Sequence, residues 1–129
     1  MISGLGCDIV NIQRLEKSKD FLERFAKRIL GAEELAEISA KNFATVKDFA
    51  CTLAKYYAGK EAFAKAIGTG FIDGIFLRDI QILHNLRGKP ELKISGSALD
   101  YLHKISEKPL FHISLSDDYP YAQAVVIIE

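Results

Sequence analysis

Little in this sequence could brace a fold from outside. Its 129 residues include two cysteines, three prolines, one methionine and no tryptophan. Cys7 and Cys51 form no CxxC pair and have no ligand cluster nearby, which excludes a disulfide framework and a structural zinc site; both lie in apolar stretches and are expected as reduced core thiols. A charge excess is also absent. Lysine plus arginine total 17, as do aspartate plus glutamate, a balance that argues against broad nucleic-acid binding. No apolar run approaches the roughly 18 residues of a membrane span. The opening MISGLGCDIV has no basic start and no long apolar run, so no secretory leader is expected and the cytoplasm is the expected location. Repeats, low-complexity tracts and Pro/Gly/Ser linkers are missing as well. The expectation is one free-standing domain over residues 1–129, large enough to bury a core unaided.

What is present is a sequence of short periodic segments. ISGLGCDIV (Ile2 to Val10) is mostly apolar with glycines and predicts a buried strand. A helical pattern runs from Asn11 to about Leu30, broken near Ser18 to Asp20, with Asp20 as the expected N-cap of FLERFAKRIL and Gly31 as its end. AEELAEISAK predicts a short helix. The longest pattern, Thr45 to Ile67, places Val46, Phe49, Leu53, Tyr56, Phe63 and Ile67 on one face at about 100° per residue. Gly68 and Gly70 mark its end. DIQILHN and PELKIS predict strands joined by the LRGKP turn; SGSALDYLHKIS predicts a helix starting near Ser95 or Ser97. The chain closes as a hairpin, LFHISLS and YAQAVVIIE around DDYP. Segregated helices and hairpin-linked strands predict an α+β fold, a mostly antiparallel sheet against a long central helix.

Two carboxylates and an amine stand out. Asp8 follows GLG in an apolar strand, where an unpaired carboxylate is costly. Taken alone it reads more readily as a helix N-cap. Glu61 falls at the margin of the long helix's apolar stripe, about 40° beyond Tyr57, with Lys65 about 40° further. Alone, Glu61 and Lys65 read as a helix-edge ion pair. Together, two partly dry carboxylates from separate elements suit Mg²⁺ when a substrate phosphate supplies further oxygens, and Lys65 suits the same phosphate. That is the site type of phosphoryl-group chemistry.

Five ordered blocks then point to a family: GLGCDIVNIQRLE, RFAKRIL, GKEAFAKAIGTG, RGKPEL and HISLSDDYPYAQAVVIIE. Over essentially its whole length the sequence resembles the holo-acyl-carrier-protein synthases, the short 4′-phosphopantetheinyl transferases. The resemblance implies transfer of the phosphopantetheine arm of coenzyme A to a serine of apo acyl carrier protein, with release of adenosine 3′,5′-bisphosphate, in fatty acid biosynthesis. It implies Mg²⁺ as cofactor, held by Asp8 and Glu61, with Lys65 on the CoA phosphates. It implies an adenosine-end contact from Gly68, Thr69 and Gly70, from the turn of Gly88, Lys89 and Pro90, and from the strand carrying His112 and Ser114. It also implies a homotrimer with active sites shared between neighbours.

Chemistry is consistent with these roles. Attack on a phosphodiester builds charge that Mg²⁺ and a lysine stabilise. The serine hydroxyl needs a base, either a metal-bound water or Glu61 acting through one; Lys65 is read as charge stabiliser, with a general-acid role open. His112 reads either as a satisfied strand residue or as an adenosine contact, and Lys89 either as a solvated turn residue or as a partner of the 3′-phosphate. From Gln13 to Leu30 six basic residues face three acidic ones. Such a run is ordinarily a solvated face; under the resemblance it becomes a docking surface for an acidic carrier protein, through Arg14, Arg24, Arg28 and Phe25 and with Phe21 as a further apolar contact.

The sequence departs from the family at three points. Tyr56 and Tyr57 precede the K-E motif where relatives often have an arginine or an aromatic pair. Asp117 and Asp118 follow Ser116 where many carry histidine, and neither is assigned a catalytic role. Gly59 replaces the usual alanine, at up to about 1 kcal/mol of helix stability, and is expected to permit a close backbone approach beside the site. Two other function classes, a non-catalytic CoA- or carrier-binding module and a subunit of a larger synthase, have no use for Asp8, Glu61 and Lys65 together.

Overall fold

A computed structural model describes residues 1–70 and 77–129 of the chain. Strand β1 (Gly4–Asn11) leads through a 3₁₀ turn, Ile12–Arg14, to helices α1 (Lys19–Ile29), α2 (Ala32–Ser39) and α3 (Val46–Ile67). A second 3₁₀ turn, Leu77–Asp79, precedes β2 (Ile80–His84) and β3 (Pro90–Ile94); α4 (Gly96–Ile105), β4 (Phe111–Asp118) and β5 (Tyr121–Ile128) complete the order. β1, β5 and β4 form one antiparallel sheet in that order, and β2 pairs with β3 as a separate antiparallel hairpin. The architecture is the expected α+β, with α3 lying on the inner face of the three-stranded sheet.

Helix α3 forms where the sequence predicts it. Thr45 Oγ1 accepts from Asp48 N at 3.0 Å and caps the start. Gly68, with φ of 82°, closes the end in the left-handed conformation that glycine adopts without penalty. The helix is buried more completely than one apolar stripe implies. Ala50, Ala54, Ala58, Ala62 and Ala66, four residues apart, are all buried, and Val46 at the first turn is exposed. This small-residue row lets β1 approach closely. A Cβ on Gly6 would strike the carbonyl oxygen of Ala62 and come within 2.8 Å of Ala66 N; a Cβ on Gly4 would strike the carbonyl oxygen of Ala66. Only glycine allows strand and helix backbones to meet there.

The period of two then decides what β1 presents. Gly4, Gly6, Asp8 and Val10 face α3, while Leu5, Cys7 and Ile9 face outward. β1 is therefore not the strand buried on both sides that its apolar run predicts: Leu5 and Ile9 are 65% and 63% exposed. Nor is Cys7 a core thiol, since it lies on the exposed face. Cys51 is half-buried on α3, and its Sγ lies 3.1 Å from Asp117 Oδ2. Burial, reinforced by that carboxylate, pushes its thiol up to about 11.

Three further expectations change at the termini of elements. Ser18, not Asp20, caps α1, its Oγ accepting from Phe21 N at 3.0 Å; Asp20 sits within the first turn, where a carboxylate meets the positive end of the helix dipole. Leu30 ends α1, and Gly31 is instead the first cap of α2. The helical pattern after Asn11 yields only the 3₁₀ turn, capped by Asn11 Oδ1 on Gln13 N at 3.0 Å.

Apolar packing forms two clusters. Leu22, Ile29, Leu30, Ile38, Leu53 and Tyr56 lie among α1, α2 and the first half of α3. Phe63, Ile67, Ile80, Leu102, Val126 and Ile128 lie among the second half of α3, α4 and the sheets. A fully buried side chain such as Phe63 contributes roughly 1.5–3 kcal/mol. One charged pair lies between these layers. Lys60 and Glu34 are both fully buried, with Lys60 Nζ 2.7 Å from Glu34 Oε1. Lys60 also donates to the carbonyls of Leu77 (3.0 Å) and Ile80 (2.5 Å), while Glu34 accepts from Gly31 N (2.9 Å) and Ile82 N (2.8 Å). The pair clips α2 and β2 to α3 with its polar atoms satisfied.

Candidate active site

Asp8 owes its position to the same alternation that puts Gly4 and Gly6 against α3. It is the next residue on that face, directly beyond the close contact, and its side chain is 16% exposed. Across from it, α3 presents Tyr57, Glu61 and Lys65 at intervals of one turn. Lys65 Nζ donates to Asp8 Oδ1 at 2.9 Å and to the carbonyl of Cys7 at 3.0 Å. That hydrogen bond, with the charges on Asp8 and Glu61 adding to it, holds the Lys65 ammonium above the usual lysine range. Lys65 thus pairs with Asp8 across two elements, not with Glu61 along the helix. Glu61 is half-buried, as its place at the stripe's margin implies. Asp8 is no helix cap; it is paired mid-strand with Ala124 of β5.

Tyr57 is the neighbour that sequence reasoning passed over. Burial, followed by the charge of Glu61, a hydrogen bond to it and the charge of Asp8, raises the Tyr57 hydroxyl above its ordinary value. Its spacing of four residues from Glu61 was a legible signal. The Lys60–Glu34 pair was also missed, because no spacing rule links residues 26 apart.

The loop after α3 stays close to Lys65. Gly68 N donates to Lys65 O at 3.1 Å, and Thr69 N and Gly70 N both donate to Ala64 O at 3.3 Å. The Gly88–Pro90 turn is built separately at the tip of the β2–β3 hairpin. Asn85 organises it, its Oδ1 accepting from Arg87 N at 2.9 Å and Lys89 N at 3.0 Å, with Gly88 at φ of 82°. His112 and Ser114 lie elsewhere again. They pair with Ile127 and Val125 of β5, which pair with Leu5 and Cys7 of β1, so they share the outward face, opposite Asp8. His112 Nε2 lies 2.7 Å from Glu129 Oε2. One chain therefore brings together Asp8, Glu61, Lys65 and the Gly68–Gly70 loop, and does not bring His112 and Ser114 to them.

The basic segment reaches α3 one turn before Glu61, at Tyr57. Phe21, Arg24, Phe25, Lys27 and Arg28 line a surface depression on α1, and Arg14 sits in the 3₁₀ turn before it. Phe25 stacks on Phe21 (6.1 Å between ring centroids) and meets Tyr57 (5.8 Å). Among the described residues Arg24 makes only an exposed pair with Asp20, 3.2 Å apart. A larger depression on the opposite flank of α1, about 570 Å³, holds none of the predicted site residues. Gly59 approaches the side chains of Ile82, Ile113 and Leu115, not the carboxylates, so its close contact serves the core and not the site.

Two oxygen-bearing acids, a lysine and a glycine loop at a helix end form a site suited to charge stabilisation in phosphoryl-group transfer. Among the described residues no cluster of three or more His, Cys, Asp or Glu side chains is present. A divalent ion at Asp8 and Glu61 would draw its remaining oxygens from substrate or solvent, a donor set that fits Mg²⁺.

Comparison with known proteins leads to the same class. A family model described as the 4′-phosphopantetheinyl transferase superfamily matches residues 4–124. The chain belongs to that superfamily. It is 42% identical over 133 residues to the holo-[acyl-carrier-protein] synthase of Erythrobacter litoralis, covering 100% of this chain and 97% of the relative. The crystal structure of the Neisseria meningitidis holo-[acyl-carrier-protein] synthase matches with a TM-score of 0.80 at 38% identity, covering 100% and 99% of the two chains. That of the Bacillus anthracis synthase, in complex with CoA (3′,5′-ADP), matches at 0.75 and 30% identity, covering 99% and 96%.

Proposed function

We propose that this protein is a holo-acyl-carrier-protein synthase acting in fatty acid biosynthesis. It transfers 4′-phosphopantetheine from coenzyme A to a serine of apo acyl carrier protein. The observation that carries the reading is the convergence of Asp8 on β1 with Glu61 and Lys65 on α3. The serine hydroxyl gives its proton to a water, or to Glu61 through one, as its oxygen bonds to the phosphorus that bears pantetheine. The bond from that phosphorus to the bridging oxygen breaks, and adenosine 3′,5′-bisphosphate leaves with the electron pair. The Lys65 ammonium, already held at Asp8, offsets charge on the phosphate oxygens and on the leaving group. Asp8 and Glu61 would hold Mg²⁺, whose chemistry there is Lewis-acid stabilisation of phosphate charge. The Gly68–Gly70 loop adds little side-chain bulk beside Lys65, its N–H groups turned back onto the carbonyls of Ala64 and Lys65. Arg14, Arg24 and Arg28, with Phe25, form the surface for an acidic carrier protein.

The unit is read as a homotrimer. Its support is the division of the predicted CoA contacts between opposite faces of the sheet, so that His112 and Ser114 serve a neighbour's Asp8 and Glu61. Leu5, Cys7, Ile9, Val125 and Ile127 share that outward face, the kind of contiguous apolar patch that marks an interface. A cytoplasmic setting is consistent with two thiols free of disulfide bonds and, among the described residues, with no helix long and apolar enough to cross a membrane.

The test is direct. Purified protein, apo carrier, CoA and Mg²⁺ are expected to give the mass gain of one phosphopantetheine arm. Asp8→Ala and Glu61→Gln are expected to reduce the rate by orders of magnitude, and full rate in both variants would refute the metal assignment.

A further inference from the structure

We propose that the depression between α1, α2 and the start of α3 binds a free fatty-acid anion, its chain on the apolar floor and its carboxylate at the lysines of the rim. The inference goes beyond the transfer reaction and does not rest on it.

The apolar stripe of α3 begins earlier than the core it serves. Leu53 is fully buried, but Val46, two turns before it, is 38% exposed, and Phe49 is only half-buried. Both line the depression. Leu22 and Ala26 of α1 and Ile38 of α2 line it too and, being buried, lie at its floor. Phe43, in the connection from α2 to α3, stands edge-on to Phe49 with 4.8 Å between ring centroids. The volume of about 570 Å³ falls within the range of about 300–1,000 Å³ that small-molecule sites occupy.

Charge around this floor is of one sign. Lys19, Lys27 and Lys41 stand at the rim against a single acid, Glu23, which lies 3.9 Å from Lys19. Among the described residues Lys27 and Lys41 have no ion pair. Lysine stems lie readily along apolar surface with the ammonium at the water. A nucleotide or a peptide laid on the floor would give up hydrogen bonds to water and regain few, since the hydroxyl of Thr45 is already engaged by Asp48 N. A hydrocarbon chain gives up none, and the two unpaired ammoniums suit one anionic end. A second copy seated by the same face would set lysine rim against lysine rim. A bilayer needs apolar side chains that protrude, and of the large apolar residues lining the depression only Val46 is exposed. One chain that enters fits the shape better than a flat membrane.

The experiment is calorimetric titration of the full chain with octanoate, decanoate and dodecanoate, each below its micelle concentration, with decanol as the neutral control. One ligand per chain is expected, with affinity rising about fourfold per methylene and decanol binding more weakly than decanoate. Lys41→Glu is expected to weaken decanoate 10-fold or more and to leave decanol unchanged. Val46→Asp places a carboxylate in the first turn of α3, where the helix dipole favours it, so the thermal midpoint is expected to hold while all four ligands are lost. No decanoate or dodecanoate binding by wild type overturns the proposal, as does decanoate binding unchanged in either variant or decanol binding equal to decanoate. Wild type is expected to stay in the supernatant when phosphatidylglycerol vesicles are sedimented. Co-sedimentation that Val46→Asp abolishes would give the groove to a membrane and overturn the free-acid reading. Subunit count by light scattering that falls in Val46→Asp, with no decanoate bound by wild type, would give it to a second copy and overturn the proposal equally.

Discussion

Lys60 stands one residue before Glu61 yet points into the core, where its ammonium meets the Glu34 carboxylate. Burial raises Glu34 above the ordinary carboxylate range, and the nearby Lys60 charge opposes that rise. Lys60→Met removes the opposing charge and leaves a carboxylate without its cation, a change that typically costs about 3–5 kcal/mol. The sign with pH follows. A carboxyl whose folded value lies above its unfolded value binds more protons in the folded state, so stability falls as pH rises through that window. In Lys60→Met, Glu34 rises further, and the variant is expected to be closer to wild type at pH values near 5 than near 8. Urea titrations at both ends of that range would measure it, and a deficit independent of pH would contradict this account of the pair.

At the scale of elements, the contact of β1 with α3 depends on having no side chain in between. Gly6→Ala drives a methyl group into the Ala62 carbonyl, part of a helix that cannot locally yield. The expected loss is about 3 kcal/mol or more, with phosphopantetheine transfer falling too as β1 lifts from the helix. Chemical denaturation and the transfer assay would each detect it. This scale was also where the sequence was most legible. Periodicity and glycine placed α3 within a residue at its start and gave its end, because Thr45 and Gly68 act locally. The residues drawn to the site, Asp8, Glu61 and Lys65, were legible as a pattern, though not their pairing. Lys65 reaching Asp8 depends on strand alternation and on glycines meeting helix carbonyls, which are tertiary facts. Ser18 outcompeted Asp20 as cap because its hydroxyl is placed at the residue before the first turn, a boundary the charge pattern obscured.

For the whole molecule, the outward sheet face and the proposed division of CoA contacts make a single claim about assembly. Leu5→Glu combined with Ile9→Glu puts two charges on the apolar patch without touching the inward face that carries Asp8. Light scattering is expected to find a trimer for wild type and a monomer for this variant, with transfer lost although Mn²⁺ still binds. A monomeric wild type that turns over CoA would dismiss the shared-site reading.

The glycines of β1 have one more consequence. Because peptide groups of strand and helix abut directly, the spacing between the backbones that carry Asp8 and Glu61 is ruled by main-chain dimensions. A single added carbon at position 4 or 6 would reset that spacing. An engineer altering carrier preference on α1 has to keep Gly4 and Gly6 as they are.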